Sequence, residues 1–301
     1  MSINLPTLYV SQFANTLELL AQQTESKLQS TVMYSGGHVG KQASPVDQYG
    51  KIEASENTER FGPMPRTDAP VDRRWIFPRN WDLNQQIDQN DLQRVLLDPK
   101  AILARDALAA MNRRKDSVIL DALTGANFTG ETGIVSTTLP ATQVVGVSTG
   151  GTASSLNVAK IRAGKKILMQ NDVDVMAEEL YLAVNAKAYD SLFAEVQITN
   201  KDYNEARDGK PIMQEGLITR FMGINIVHLE RIQSGTDDIA GTSDQCFMYA
   251  KSGVHLGGWQ EIETSINPRY DLRGIPWQIY VKMTMGATRL QETKVVKIWT
   301  R

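Results

Sequence analysis

The chain is poor in the residues that carry most soluble-protein chemistry. It holds one cysteine, Cys246, and three histidines, His38, His228 and His255. A lone cysteine cannot close an intramolecular disulfide, so a reducing place of synthesis is expected. Cys246, beside Phe247 and Met248, reads as a buried core thiol. The histidines fall in three separate segments with no His-x-x-x-His pair, which removes the usual zinc spacing. Asp172-Val173-Asp174 and Asp237-Asp238 lack the glycine and distal glutamate of a calcium loop and read as solvated turns. No metal and no cofactor are expected. No stretch approaches ~18 apolar residues, so no membrane-spanning helix is expected. Met1 to Pro6 lacks a positive region followed by an apolar run, so no secretion signal is expected. Nor does one charge dominate. The formal net charge is −2 and the pI about 6.0, which excludes a tight polyanion binder.

What is present is enough apolar material, 42% of 301 residues, for a sizeable core or two. The longest coherent signal runs from Asp98 to Gly125. Asp98 suits an N-cap, Pro99 the first helical turn, and Gly125 a C-terminal stop. Between them lie no glycine or proline and many strong helix formers. Leu103, Ala107, Ala110, Met111, Val118 and Leu123 make an apolar stripe, with Arg105, Arg113 and Asp116 expected to turn away. About 25 residues at ~1.5 Å each give a helix of roughly 37 Å. That is twice the usual length, and it suggests a spine rather than a pocket wall.

The flanks of this helix read as arms. Ser11 to Val32 has an amphipathic helical pattern, with Phe13, Leu17, Leu20 and Leu28 on one face. It is expected to dock on the spine or on another subunit. From Met33 to Asp72, Gly36-Gly37, Pro45, Gly50, Gly62-Pro63, Pro65 and Pro70 break any helix, and large aliphatic residues nearly vanish. A stretch this long without a core is either a linker or a functional extension, and the return limb favours a two-stranded arm that lies on neighbours. There Trp81, Leu83, Gln85 and Ile87 alternate with Asp82, Asn84, Gln86 and Asp88, as in a half-buried strand. Arg60, Arg66, Arg73, Arg74 and Arg79, with Trp75 and Phe77, have the composition of interface anchors.

Beyond Gly125 the pattern is mixed. A Gly/Thr-rich segment leads to a helix from about Leu156 to Gln170, with Ser154 or Ser155 as its cap. Glu179 to Val184 reads as a strand, Ala186 to Ala194 as a helix, Gly216 to His228 as a turn and strand, and Phe247 to Ala250 as a short strand. Val254 to Trp259 is read as helix or loop. Trp277, Ile279, Val281, Met283 and Met285 alternate with polar residues as a strand that Gly286-Ala287-Thr288-Arg289 breaks, and Val295 to Trp299 is a last strand.

Two short motifs invite enzymatic readings. Gly125 to Glu131 has the G-x-x-x-x-G spacing of a phosphate loop, but a carboxylate stands where the loop needs lysine. Gly146-Val147-Ser148-Thr149-Gly150 matches a nucleophile elbow with histidines downstream, yet no oxyanion segment precedes it and no clear helix start follows. A serine hydrolase acting through Ser148 is therefore a minor reading, and a protein without catalytic residues the main one.

Several blocks taken together resemble the major capsid proteins of tailed bacteriophages. These are Arg73-Arg74-Trp75-Ile76-Phe77-Pro78, Ile87-Asp88, Asp98-Pro99, Arg113 to Asp116 and Ala122-Leu123-Thr124-Gly125. Asn157 to Lys160, Gln170 to Asp174, Glu179-Leu180-Tyr181, Asp202-Tyr203 and Phe221 to Ile224 follow, and Gly286 to Arg289 before Val295 to Ile298 closes the set. The resemblance implies the α+β capsid fold shared by tailed phages and herpesviruses. Its parts would be an N-terminal arm (1–32), an extended β-hairpin loop (33–90) and a peripheral domain with the spine helix (91–171). An axial domain (172–262) and C-terminal strands of the peripheral domain (263–301) would complete it. It further implies self-assembly as hexamers and pentamers into an icosahedral head around a double-stranded DNA genome, touched weakly and non-specifically. The protein would be made in the host bacterial cytoplasm and end in the virion. Expected partners are further copies of itself, a separate scaffolding protein, a portal and decoration proteins, with no membrane. The expected subunit-interface residues are Phe13, Leu17, Arg60, Arg66, Arg73, Arg74, Trp75, Phe77 and Arg79. A cellular nanocompartment shell of the same fold is the alternative.

Overall fold

The structure, a computed structural model, describes residues 21–40, 47–56, 66–87, 100–151, 153–199, 213–214 and 217–301. Strands β1 (Met33–Ser35), β2 (Asp47–Tyr49), β3 (Val71–Trp75) and β4 (Arg79–Ile87) precede helix α1 (Lys100–Thr124). Strands β5 (Asn127–Thr129), β6 (Val135–Thr137) and β7 (Val144–Val145) lead to α2 (Val158–Gln170). Then come β8 (Leu180–Val184), α3 (Ala186–Phe193), β9 (Met213–Gln214), β10 (Leu217–Ile218), β11 (Arg220–Phe221) and β12 (Ile224–His228). The chain closes through β13 (Ser234–Thr236), β14 (Thr242–Ala250), β15 (Val254–Pro268), β16 (Trp277–Arg289) and β17 (Val295–Thr300).

Two compact units divide these elements. One comprises Met1–Glu25, Asn80–Arg113 and Ile262–Met283; the other comprises Ser26–Arg79, Arg114–Glu261 and Thr284–Arg301. In the smaller unit β4 lies beside β16, which lies beside β15. The expected alternation of β4 is present: Trp81, Leu83, Gln85 and Ile87 are half-buried while Asp82, Asn84 and Gln86 are exposed. Lys282 reaches Glu263 at 3.2 Å, and Gln22 donates to Asp106 at 2.9 Å.

The larger unit is built on a seven-stranded sheet with the order β11-β12-β8-β14-β17-β7, β13 pairing with β14. Helix α2 packs on it through Gly164, where a Cβ would stand 3.1 Å from Met248 Cε and 3.4 Å from Ile298 Cδ1. The missing side chain at Gly164 lets the helix approach the sheet. Its N-cap is Asn157, whose side chain accepts from the Lys160 amide at 2.8 Å, rather than Ser154 or Ser155. The β11–β12 hairpin turns at Met222 (φ 51°) and Gly223 (φ 82°), the left-handed pair that a two-residue hairpin loop needs. The pairing of β17 with β14 joins residues on either side of the expected boundary at 262.

Helix α1 ends where the sequence says. The Gly125 amide donates to Asp121 O at 2.8 Å. Past that point the carbonyls of Ala122 and Leu123 accept from Arg289 Nη1 at 2.7 and 2.8 Å, which satisfies groups the helix leaves orphaned. Arg289 is fully buried, and burial pushes its guanidinium down to about 10. Asp98 and Pro99 lie outside the described residues.

Four local expectations are corrected. Asp116 does not turn away from the core but is fully buried, accepting from Ser26 Oγ at 2.6 Å, the Lys27 amide at 3.2 Å and the Leu28 amide at 3.1 Å. Residues 21–28 are irregular and followed by one short 3-10 turn, where a helix was expected. Val254 to Trp259 opens a 15-residue strand instead of a helix or loop. Gly286 does not break β16, because it is the position where the strand passes the Phe77 carbonyl; a Cβ there would stand 2.3 Å from that oxygen.

Candidate assembly interface

The loop strands place most of the expected anchors in the larger unit. There β2, β3, β5 and β6 form a four-stranded sheet in that order. Tyr49 is opposite Val71, and Trp75 opposite Phe128. Side chains alternate along β3, so Val71, Arg73 and Trp75 share one face while Asp72 and Arg74 take the other. On the first face Tyr49 is 76% exposed and Val71 61%. Arg73 is held there by two bonds to Asp47 of the opposing strand and lies 5.6 Å over the Trp75 ring. Trp75 Nε1 donates to Gly130 O at 2.6 Å, and Phe77 meets Phe128 edge-on at 5.1 Å. Tyrosine, tryptophan, phenylalanine and arginine fixed on one open sheet face are the composition of an interface hot spot.

Arg74, expected among the interface anchors, is on the inner face. Both its terminal nitrogens meet the Glu292 carboxylate at 2.7 Å, and both residues are buried. Its charge is spent inside its own chain, a correction that the alternation along β3 explains. Arg79 is 3.9 Å from Asp121 on α1 of the same chain and stays largely exposed. Arg66 pairs with Asp68 at 2.9 Å on an exposed stretch. Phe13, Leu17 and Arg60 lie outside the described residues.

A second polar cluster was not foreseen from the sequence. His38 Nε2 and His255 Nε2 both contact Ser35 Oγ, at 2.6 and 2.7 Å. The parallel pairing of β1 with β15, which sets Met33 against His255, brings together histidines 217 residues apart in the chain. His255 is 5% exposed and its Nδ1 has no partner. Burial first, and His38 second, push its imidazole down to about 4. The residue is therefore neutral at pH 7, with its Nε2 against the Ser35 hydroxyl and its Nδ1 unpartnered.

The enzymatic motifs gain no geometry. Ser148 is exposed in a turn after β7, and His255 bonds Ser35 instead. Among the described residues no cluster of three metal-ligating side chains occurs, and no helix is long and apolar enough to cross a membrane. Cys246 is buried, its thiol pushed up to about 11 by desolvation.

Comparison with known proteins shows the family and the fold of the chain. A family profile described as phage capsid protein matches residues 5–300. The chain superposes on the capsid of cyanophage P-SCSP1u with a TM-score of 0.73 at 13% identity, covering 100% of this chain and 95% of that one. It superposes on the cyanophage Pam1 capsid with a TM-score of 0.71 at 10% identity, covering 98% and 96%. The acid-stable capsid of Helicobacter pylori bacteriophage KHP30 gives 0.73 at 12% identity, covering 98% and 96%. No curated protein sequence matches. The α+β capsid fold expected from the sequence is the fold these structures share with this chain.

Proposed function

Since the chain belongs to the phage capsid protein family, and is thus a structural protein of the virion, we propose that it tiles an icosahedral head as hexamers and pentamers around a double-stranded DNA genome. The observation that carries this reading is the β2-β3-β5-β6 sheet, which fixes Tyr49, Arg73, Trp75 and Phe128 on one open face. Each pair of exposed charges at such a contact contributes little, about 0–1 kcal/mol. Buried aromatics repeated around a closed shell supply the stability. Under this reading 1–32 is the N-terminal arm, 33–90 the extended loop, and α1 the spine. The divisions at 91, 172 and 263 mark the peripheral domain, the axial domain and the C-terminal strands. Phe13, Leu17, Arg60, Arg66, Arg73, Trp75, Phe77 and Arg79 serve contacts between copies.

A scaffolding protein, a portal and decoration proteins complete the particle, and DNA is touched only weakly, consistent with a net charge of −2. Synthesis takes place in the host cytoplasm. No catalytic step is assigned to Ser148. A nanocompartment shell is the weaker alternative, because the similar solved structures described above are phage capsids.

The structure suggests how to test the loop. The Gly50 amide donates to Pro70 O at 2.6 Å, so 51–69 can be replaced by a two-residue turn without moving β2 or β3. The shortened chain is expected to fold and to fail in shell formation by electron microscopy. Normal shells from it would refute the role of the loop.

A further inference from the structure

Helix α3 and strands β10 and β12 enclose a cavity of about 560 Å³, within the ~300–1,000 Å³ of small-ligand sites. Its walls include the rings of Tyr189, Phe193 and His228 and the aliphatic side chains of Leu217, Ile218 and Ile226. Tyr189 and Phe193 stand one turn apart on α3, their ring centroids 5.1 Å apart and their planes at 80°. His228, at the end of β12, sets its ring 6.1 Å from Tyr189 at 57°. Three rings inclined steeply to one another make adjoining walls and not a stack. The Tyr189 ring is also held in place. Its hydroxyl accepts from the Ile218 amide at 2.7 Å and lies 3.4 Å from the Ile218 carbonyl.

The charge around these rings has one sign. Asp190 is exposed on the lining, and among the described residues it has neither a hydrogen bond nor an ion pair. Glu230, 3.5 Å from His228 Nε2, adds a second carboxylate beside the rings. The described lining contains no lysine or arginine. Lys27 donates to the His228 carbonyl at 3.0 Å and is not part of it. Ring faces carry negative potential, so walls of this kind next to a free carboxylate attract a cation.

The hydrogen-bonding groups narrow the class of cation. The Tyr189 hydroxyl is spent on Ile218, and the Thr219 carbonyl accepts from the Ile226 amide at 3.0 Å. A primary ammonium brings three donors that need acceptors, whereas a quaternary ammonium brings charge and methyl groups and no donor. We propose that this cavity binds a quaternary ammonium group, a trimethylammonium carried by a small organic molecule. The methyl groups lie against Tyr189, Phe193 and His228, and Asp190 balances the charge. All of these groups belong to one chain, so the site does not depend on the shell-forming reading.

The test compares choline with 3,3-dimethylbutan-1-ol, which has the same shape and no charge, on the unassembled full chain at matched chloride. Ligand-observed NMR follows the methyl signals, and the melting temperature is recorded with each compound. Choline is expected to bind with a Kd on the order of 1 mM, to shift its methyl signal upfield and to raise the melting temperature. The neutral alcohol is expected to bind about tenfold more weakly, and D190N and F193L each to weaken choline binding about fivefold. D190N alters an exposed position, so it carries the test if F193L lowers the melting temperature by itself.

Equal binding of the two compounds would reduce the cavity to an apolar one and overturn the inference. So would no binding of choline up to about 20 mM, or binding unchanged in both variants. Tighter binding of N-acetyl-lysine methylamide than of choline would assign the rings to a lysine side chain of another protein, and would overturn the quaternary class.

Discussion

Arg74 and Glu292 face each other fork to fork, with both nitrogen–oxygen distances at 2.7 Å and both side chains buried. The pair ties β3 at the root of the loop to the turn before β17. Both charges are out of water, so the pair is held by complementary geometry and not by net Coulomb gain. Removing one partner leaves the other buried and uncompensated. R74M is expected to lower the unfolding free energy by about 3–5 kcal/mol, and R74M/E292L to recover most of that loss. Denaturant unfolding of the unassembled chain checks both values.

Asp116 supports the entry of the chain into the larger unit. Its carboxylate accepts from one hydroxyl and two backbone amides between Ser26 and Leu28, and Leu28 itself is fully buried. D116A leaves those donors without a partner, at a cost of about 1–3 kcal/mol for a buried group. The expected result is a lower melting temperature together with faster proteolytic cleavage near residues 24–30. A variant as resistant as the unaltered chain would show that these bonds do not hold the segment.

Acid is expected to weaken the contact between β1 and β15. The imidazole of His255 is held down to about 4 by burial and by His38, against ~6.5 in an unfolded chain. A depressed value means that folding favours the neutral ring. Its contribution is complete above pH 6.5 and is lost as pH falls through 4. Up to about 3 kcal/mol is at stake over that window. Unfolding measured from pH 7 to pH 4 should show this slope, and H255Q should flatten it.

G286A tests the close approach of β16 to the Phe77 carbonyl. The added Cβ would stand 2.3 Å from a backbone oxygen, so strand or loop must move. A loss of about 1–3 kcal/mol is expected, as for other overpacked sites. An Ala variant of unchanged stability would contradict the account of why β16 continues through this glycine.

The sequence is most readable where one face of an element is buried and the other is wet. β4 and the first part of β16 alternate for that reason, and α1 ends at Gly125 because local chemistry ends it. β15 was opaque because Val254 to Gly258 is buried at every position, so no alternation survives, and two glycines dilute the strand signal. Asp116 was misread because its partners are about 90 residues away and nothing near it in sequence announces them. At the candidate interface the residue types were legible, whereas their faces were only partly so. The period of two along β3 already separates Arg74 from Arg73 and Trp75, but the partner that decides which face is inside, Glu292, is 218 residues distant. The Ser35–His38–His255 cluster depends on the same kind of long-range pairing.

The central claim is that this chain builds a closed shell from copies of itself. Its most direct test is electron microscopy of the purified full chain across a concentration series, with size-exclusion light scattering on the same samples. Closed particles tens of nanometres across, appearing above a threshold concentration, are the predicted result, and their diameter gives the number of subunits. A single 33.4 kDa species at every concentration, with neither rings, tubes nor shells, both from the chain alone and from the chain produced together with its scaffolding protein, would contradict the account.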